Sequence, residues 1–274
     1  MDFSAGGLNG GSTGEHGRLT WTFITLVCSI RPAFFLMENV PGLYRTKKHR
    51  GFLLSVIQKL GDAGYAVDMG ILNALELGVP QERHRLFLAG FEQALAEDCL
   101  GRPIFPAATG WFPWPEDARY TGAKDLPWPK VSAPGEDVAC PKGIPTELTV
   151  YPLLAGDPVP ESMANGDEVF KAYSPRFTQI AEGDVSGKSF KRLHRYRYSP
   201  TAWYGNNEVH LHPWKPRRLS VREALRIQSV PDEYVLPPGY GLTAKFKLVC
   251  NGVPYRMAVH LARSIQAFLD PALQ

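Results

Sequence analysis

The sequence predicts an α/β fold, an open sheet carrying helices, interrupted by a loop-rich insertion. Three observations predict it. Residues 1–92 alternate between helical and strand-like apolar patterns. Twelve of the chain's 24 prolines then fall between Gly101 and Pro160, with Trp111, Trp114 and Trp128 among them. Proline blocks helix interiors and central strands, so that stretch is irregular. Helical patterns return after Ser220. The chain's 274 residues suffice for one large domain or two smaller ones.

In order along the chain, Arg18 to Ile30 carries Leu19, Phe23, Leu26, Val27 and Ile30 at helical spacing. Ala33 to Val40 is a short continuous apolar run, as expected of a strand buried on both faces. Gly51 to Ala63 repeats the helical spacing with Leu53, Val56, Ile57 and Leu60, and Gly64 supplies the stop. Tyr65 to Leu72 and Arg85 to Phe91 read as strands. Ser220-Val221-Arg222-Glu223 fits a capping box, with Val221, Ala224, Leu225 and Gln228 on one face of the helix it starts. A last helix follows Pro254, with Ala258, Leu261, Ala262, Ile265 and Leu269 on a common face.

Composition excludes several classes. No apolar run approaches the length of a membrane span, and the first residues show neither the basic nor the apolar region of a secretory signal. Cys28, Cys99, Cys140 and Cys250 are far apart, without metal-ligand pairing, so no metal site is expected. They read as inert small hydrophobes in a reducing, cytoplasmic setting, nucleoid-associated in a bacterium. Residues 171–218 hold ten Lys/Arg against three acids, leaving 20 basic and 24 acidic residues elsewhere. Such a block suits a polyanion or a solvated basic face.

Two stretches carry chemistry. Phe34-Phe35-Leu36-Met37-Glu38-Asn39-Val40-Pro41-Gly42 puts a carboxylate and an amide at a strand's C-terminal end, where open α/β sheets bind ligands. Partial burial there raises a carboxyl pKa and equips Glu38 as a general acid. An Asn-Val-Pro-Gly turn beside an incidental Glu accounts for the stretch equally simply. Gly78-Val79-Pro80-Gln81-Glu82-Arg83-His84-Arg85 precedes a strand, and alternation puts Arg83 and Arg85 on one face. Converging guanidiniums suit a phosphate or a base carbonyl; a charged strand edge is the plainer reading.

Taken together, and in this order, these stretches resemble the DNA cytosine-5 methyltransferase family. Pro216-Arg217-Arg218-Leu219-Ser220-Val221-Arg222-Glu223-Ala224-Leu225-Arg226-Ile227-Gln228 is similar to that family's ninth motif, followed by Val230-Pro231-Asp232. Cys250-Asn251-Gly252-Val253-Pro254 resembles its tenth, with Cys250 in place of a Gly that tolerates more backbone conformations. Asp2-Phe3-Ser4 resembles the tail of the catalytic Pro-Cys-Gln-x-Phe-Ser motif, which puts the family's nucleophilic cysteine before residue 1.

The resemblance implies the downstream part of a Rossmann-like, S-adenosylmethionine-dependent methyltransferase fold. Residues 1–92 and 216–274 would be catalytic and residues 93–215 a target-recognition insert. It implies duplex DNA as partner, a cytosine flipped into the site, and S-adenosylmethionine as methyl donor, with Asn251 and Val253 beside the cofactor. Glu38 would serve N3 of the ring and Arg85 its O2, while Arg83 steadies nearby backbone; Ser4, Asn39 and Gln81 would line the base pocket. Lys191, Arg192, Arg195, Arg197, Ser199, Thr201 and Arg218 would contact DNA, with Tyr196, Tyr198, Trp203 and Tyr204 interleaved. The chain alone is then expected to be inactive: either an upstream methyltransferase half completes it, or it is a non-catalytic DNA-binding remnant.

Overall fold

The computed structural model describes residues 15–105, 108–133, 136, 138–187, 189–201 and 209–270. Ser4, Lys188, Trp203 and Tyr204 lie outside them. The chain divides into two compact units. Among the described residues no helix is long and apolar enough to cross a membrane.

The first unit takes in the residues up to Leu72, His84–Pro115 and the stretch from Leu261. Its elements are α1 (Glu15–Ile30), β1 (Phe34–Asn39), α2 (Gly42–Arg45), α3 (Lys47–Asp62), β2 (Tyr65–Asn73), β3 (His84–Glu92) and α4 (Gln93–Leu100). The sheet order is β1-β3-β2, with β1 antiparallel to β3 and Glu38 opposite Phe87. Alternation sends Phe35, Met37, Leu86 and Leu88 to the face covered by Ile24 and Val27 of α1 and Leu53, Val56 and Leu60 of α3. The opposite face buries Ala89 and Phe91 against Trp111, Phe112 and Phe268. Gly90 is required where it stands, because a Cβ there would lie 2.1 Å from the Phe35 ring. Asp68, almost fully buried, accepts from the backbone N–H groups of Gly110 and Phe112 (2.9 and 2.8 Å) and so ties the proline-rich stretch to β2.

The second unit comprises Asn73–Arg83 and Glu116–His260. It contains α5 (Tyr151–Ala155), α6 (Arg176–Gln179), β4 (Phe190–Arg192), β5 (Val209–Leu211), α7 (Val221–Ile227), α8 (Leu242–Asn251) and the start of α9 (Tyr255–Leu269). Parallel β4 and β5 form a small second sheet. The core gathers Val150, Leu154, Leu193, Phe246 and Val249 around α7. The predicted capping box starts α7: Ser220 Oγ accepts from Glu223 N, and the Glu223 carboxylate accepts from Ser220 N. The described residues from 101 to 160 contain short 3₁₀ turns, as the prolines predict, and also α5, whose Pro152 stands in the first turn where a missing N–H is tolerated.

Several expectations are corrected. In α1 the buried positions are Thr20, Ile24 and Val27, whereas Leu19, Leu26 and Ile30 are exposed, so the packed stripe lies one step round from the one predicted. α9 is similarly rotated: Met257, Leu261 and Phe268 are buried, while Ala258 and Ala262 face out. Small alanines extend an apolar pattern without being needed in a core. Among the described residues β1 stands at the edge of the sheet, with Phe34 exposed; the strand buried on both faces is β3. Every residue of α7 is buried, including Arg222, Glu223 and Arg226, because their charges are internally paired. α8 was not predicted, and it absorbs Cys250 into regular helix, so a Gly is not needed there.

Candidate active site

The motif residues of the first unit meet at the end of β1. Glu38 and Arg85 project from the same face of adjacent antiparallel strands, on a diagonal that long side chains bridge. Arg85 Nε lies 2.7 Å from Glu38 Oε1; the arginine is nearly buried, and a third of the carboxylate side chain is exposed. The site therefore presents a carboxylate to a ligand while a guanidinium fixes its orientation. Asn39 turns its amide oxygen back to Val40 N (2.8 Å), closing the turn into α2.

In the second unit, the loop from Asn73 to Arg83 is held from several directions. Asn73 Oδ1 accepts from Leu75 N and Arg83 N (3.3 and 3.2 Å). Gly78 takes φ +74°, and a Cβ there would come within 2.8 Å of the Tyr120 ring. Arg256 donates to Gly78 O (2.8 Å). Arg83 is fully buried and its Nη2 donates to Cys250 O and Gly252 O, at 2.7 and 2.9 Å. Arg83 and Arg85 thus have separate partners rather than converging: the strand begins only at His84, so two-residue alternation does not govern Arg83. Gln81 is fully buried with neither amide atom hydrogen-bonded.

The tenth-motif backbone that Arg83 grips carries the two cofactor candidates, Asn251 exposed at the end of α8 and Val253 half-buried. Cys28 and Cys99 are half-buried in α1 and α4, and burial pushes the Cys99 thiol up. Cys140 is exposed; Cys250 is buried, its thiol 3.3 Å from Lys247 O.

Much of the basic block is internally neutralised. Arg192 is buried, with its guanidinium donating to the carbonyls of Ile180, His212, Lys215 and Phe177, so four of its five donors are spent inside the protein. Arg195 forks onto Glu182 (2.9 and 2.8 Å), and Arg218 stacks on Phe170, 4.4 Å from its centroid. Arg217 bridges Glu161 and Glu223. Ser199 is buried with its hydroxyl on Pro200 O, and Thr201 donates to Glu82 O. Tyr198 packs edge-on to Trp128. Lys191, Tyr196 and Arg197 remain partly exposed. Sequence pattern overlooks these pairings because neither periodicity nor a local motif specifies which acceptor or ring each side chain meets.

Three potential metal ligands, Glu161, His212 and Glu223, come together in this unit. Arg217 holds both carboxylates and Lys215 holds Glu161, so the group is an ion-pair network. Burial and the neighbouring Arg217 and Lys215 push His212 down to about 2.

Comparison with known proteins identifies the family. The family model for C-5 cytosine-specific DNA methylases matches residues 1–267. The Type II methyltransferase M.NmeDI of Neisseria meningitidis serogroup C is 42% identical over 98% of this chain, which spans 62% of that protein's length. The Type II methyltransferase M.MthTI of Methanothermobacter thermautotrophicus is 28% identical over the whole chain and 78% of its own length. Among solved structures, a DNA modification methyltransferase encoded within an E. coli prophage aligns with a TM-score of 0.59. That alignment has 19% identity and covers 95% of this chain and 77% of the other, which shows a shared fold. The chain belongs to the C-5 cytosine-specific DNA methylase family.

Proposed function

We propose that this chain is the part of a DNA cytosine-5 methyltransferase that orients the target base and holds the DNA. The observation carrying this is the Glu38–Arg85 ion pair at the end of β1, in a chain matched by the family model over almost its full length. In a flipped cytosine, N3 and O2 are adjacent; a carboxyl and a guanidinium 2.7 Å apart match that edge. A thiolate adds to C6, and Glu38 holds a proton at N3 as charge develops on the ring. Arg85 donates to O2, and Asn39 borders the base. C5 then takes the methyl group and loses its proton as the thiolate leaves C6. S-Adenosylmethionine supplies that methyl when bound. An exposed amide at Asn251 beside the apolar Val253, on backbone fixed by Arg83, fits one rim of such a donor.

The thiol is supplied from outside the four described cysteines, all of which sit in helix, core or proline-rich segment. We assign it, with the rest of the cofactor site, to an upstream methyltransferase half. M.NmeDI has 62% of its length matched, leaving 38% without a counterpart here. Among the described residues β1 stands at the edge of its sheet, and Leu19, Leu26, Ile30 and Phe34 are exposed apolar side chains suited to receive it. Residues 93–215 serve target recognition, with Lys191 and Arg197 on the phosphates.

The test is transfer of labelled methyl from S-adenosylmethionine to mixed-sequence duplex DNA, by the chain alone and mixed with the upstream portion of M.NmeDI. Activity in the mixture only is expected. Methylation by the chain alone would overturn the division of labour; DNA binding without activity in either arm would leave a non-catalytic DNA-binding protein.

A further inference from the structure

The turn that Asn39 closes leads through α2 into a run of one-sided charge. Between Asn39 and Gly61 there are five Lys/Arg and no acid. Arg45, Lys47, Lys48 and Arg50 crowd the end of α2 and the start of α3, and all four are exposed. Among the described residues no carboxylate pairs with any of them. Arg50 lies over the Tyr44 ring, 5.1 Å from its centroid, with Nε donating to Tyr44 O (3.2 Å). Arg192, Arg195, Arg217 and Arg218 are the contrast, each buried or paired.

Local stability does not account for the run. The first turn of α3 has no acid and Thr46 gives it no side-chain cap, while the helix dipole disfavours cations at that end. Solubility is served by interspersed charges of both signs. Unpaired cations of one sign are the complement of a polyanion. Arg45 follows Asn39 by six residues, four of them coiled in α2, so it stands within about 20 Å of the end of β1. Phosphates recur about every 3.4 Å along each strand of a duplex, so DNA presented to Glu38 brings several into range. We infer that Arg45, Lys47, Lys48 and Arg50 are a docking surface for the phosphate backbone of duplex DNA. This rests on the function proposed above and gives the unit that holds Glu38 and Arg85 its own grip on DNA. Such contacts fix the DNA in place and carry no sequence preference.

The test is the salt dependence of binding to mixed-sequence duplex DNA, by the chain alone and mixed with the upstream portion of M.NmeDI. Lys47→Gln with Lys48→Gln is expected to weaken binding at low salt. It should also flatten log Kd against log salt by about one unit per lysine, equally for unrelated duplexes. The melting temperature, and kcat of the mixture at saturating DNA, should hold. Lys47→Arg with Lys48→Arg should bind as wild type. Lys59→Gln, in the last turn of the same helix, should leave the slope unchanged. An unchanged slope in the double glutamine variant would overturn the inference. Equal flattening by Lys59→Gln would overturn it as well, by showing a general charge effect. So would weakened binding of single-stranded RNA with duplex binding intact, which would assign the surface to another polyanion. A wild-type mixture that binds no duplex DNA would instead overturn the proposed function, and this inference with it.

Discussion

At the scale of single residues, the site depends on a few buried polar groups whose partners differ sharply. Glu38 and Arg85 pair across the sheet, so replacing either also strands the other. In the complete enzyme, Glu38→Gln is expected to lower kcat by about a hundredfold or more while DNA affinity holds, since general acid–base groups contribute on the order of 10²–10⁴. Methyl-transfer kinetics against a binding isotherm would show the split. Gln81 presents the opposite case: its amide is buried and unsatisfied, which costs about 1–3 kcal/mol. Gln81→Met should therefore raise the melting temperature of the isolated chain and lower methylation in the complete enzyme. A lower melting temperature would mean that the amide is satisfied in solution. His212 gives a pH prediction. Its folded pKa, about 2, lies below the ordinary histidine value, so the unfolded chain takes up a proton that the folded chain refuses. Stability is then complete above pH ~6.5 and declines as pH falls toward 2, by at most about 1.4 kcal/mol per unit. His194, also lowered by burial, adds in the same direction. Urea unfolding at pH 6.5 and 5 should show a smaller loss in His212→Gln than in wild type.

At the scale of elements, the residue types predicted the longer helices and the first strands better than the faces they bury. The α7 capping box was legible because Ser and Glu three apart have a local hydrogen-bonding reason to be there. Ser220→Ala should cost about 1 kcal/mol, or more given full burial, read from denaturant midpoints. The face of α1 was misread because apolar spacing defines two overlapping stripes, and only contact with α3 and the sheet selects Ile24 and Val27. The rejected stripe, Leu19, Leu26 and Ile30, is the exposed surface assigned to the upstream half. Leu26→Glu with Ile30→Lys should leave the melting temperature of the chain nearly unchanged and abolish reconstitution. A large drop in melting temperature would show that the face is already covered. Arg192 and Arg218 looked like DNA contacts from their neighbours in sequence, but carbonyls and aromatic rings from elsewhere in the chain claim them.

At the scale of the molecule, a net charge of +3 understates how little basic surface is available. Arg192, Arg195, Arg217 and Arg218 are buried or paired, so the phosphate contacts of the isolated chain should be few. The salt dependence of DNA binding then has a shallow slope, log Kd against log salt corresponding to about two to four phosphates. A slope near ten would show that the internal pairs open on DNA.

The sequence by itself determined the family, the helices and strands around the Glu38 motif, the proline-rich stretch free of long helices, and the capping box; the Glu38–Arg85 pair came only with the fold. The legible features are fixed by local chemistry: periodicity, proline's missing N–H, and short motifs whose backbone demands only a few residue types meet. Tertiary structure decided which side of each amphipathic helix is buried, that β1 is an edge, that Arg83 grips Cys250 and Gly252, and that Thr201 bonds Glu82. The Arg83 and Thr201 contacts depend on partners more than a hundred residues away along the chain, and the buried helix faces on elements that only the fold brings together. A donor shows in a sequence only that it needs an acceptor, whereas which carbonyl arrives is settled by packing.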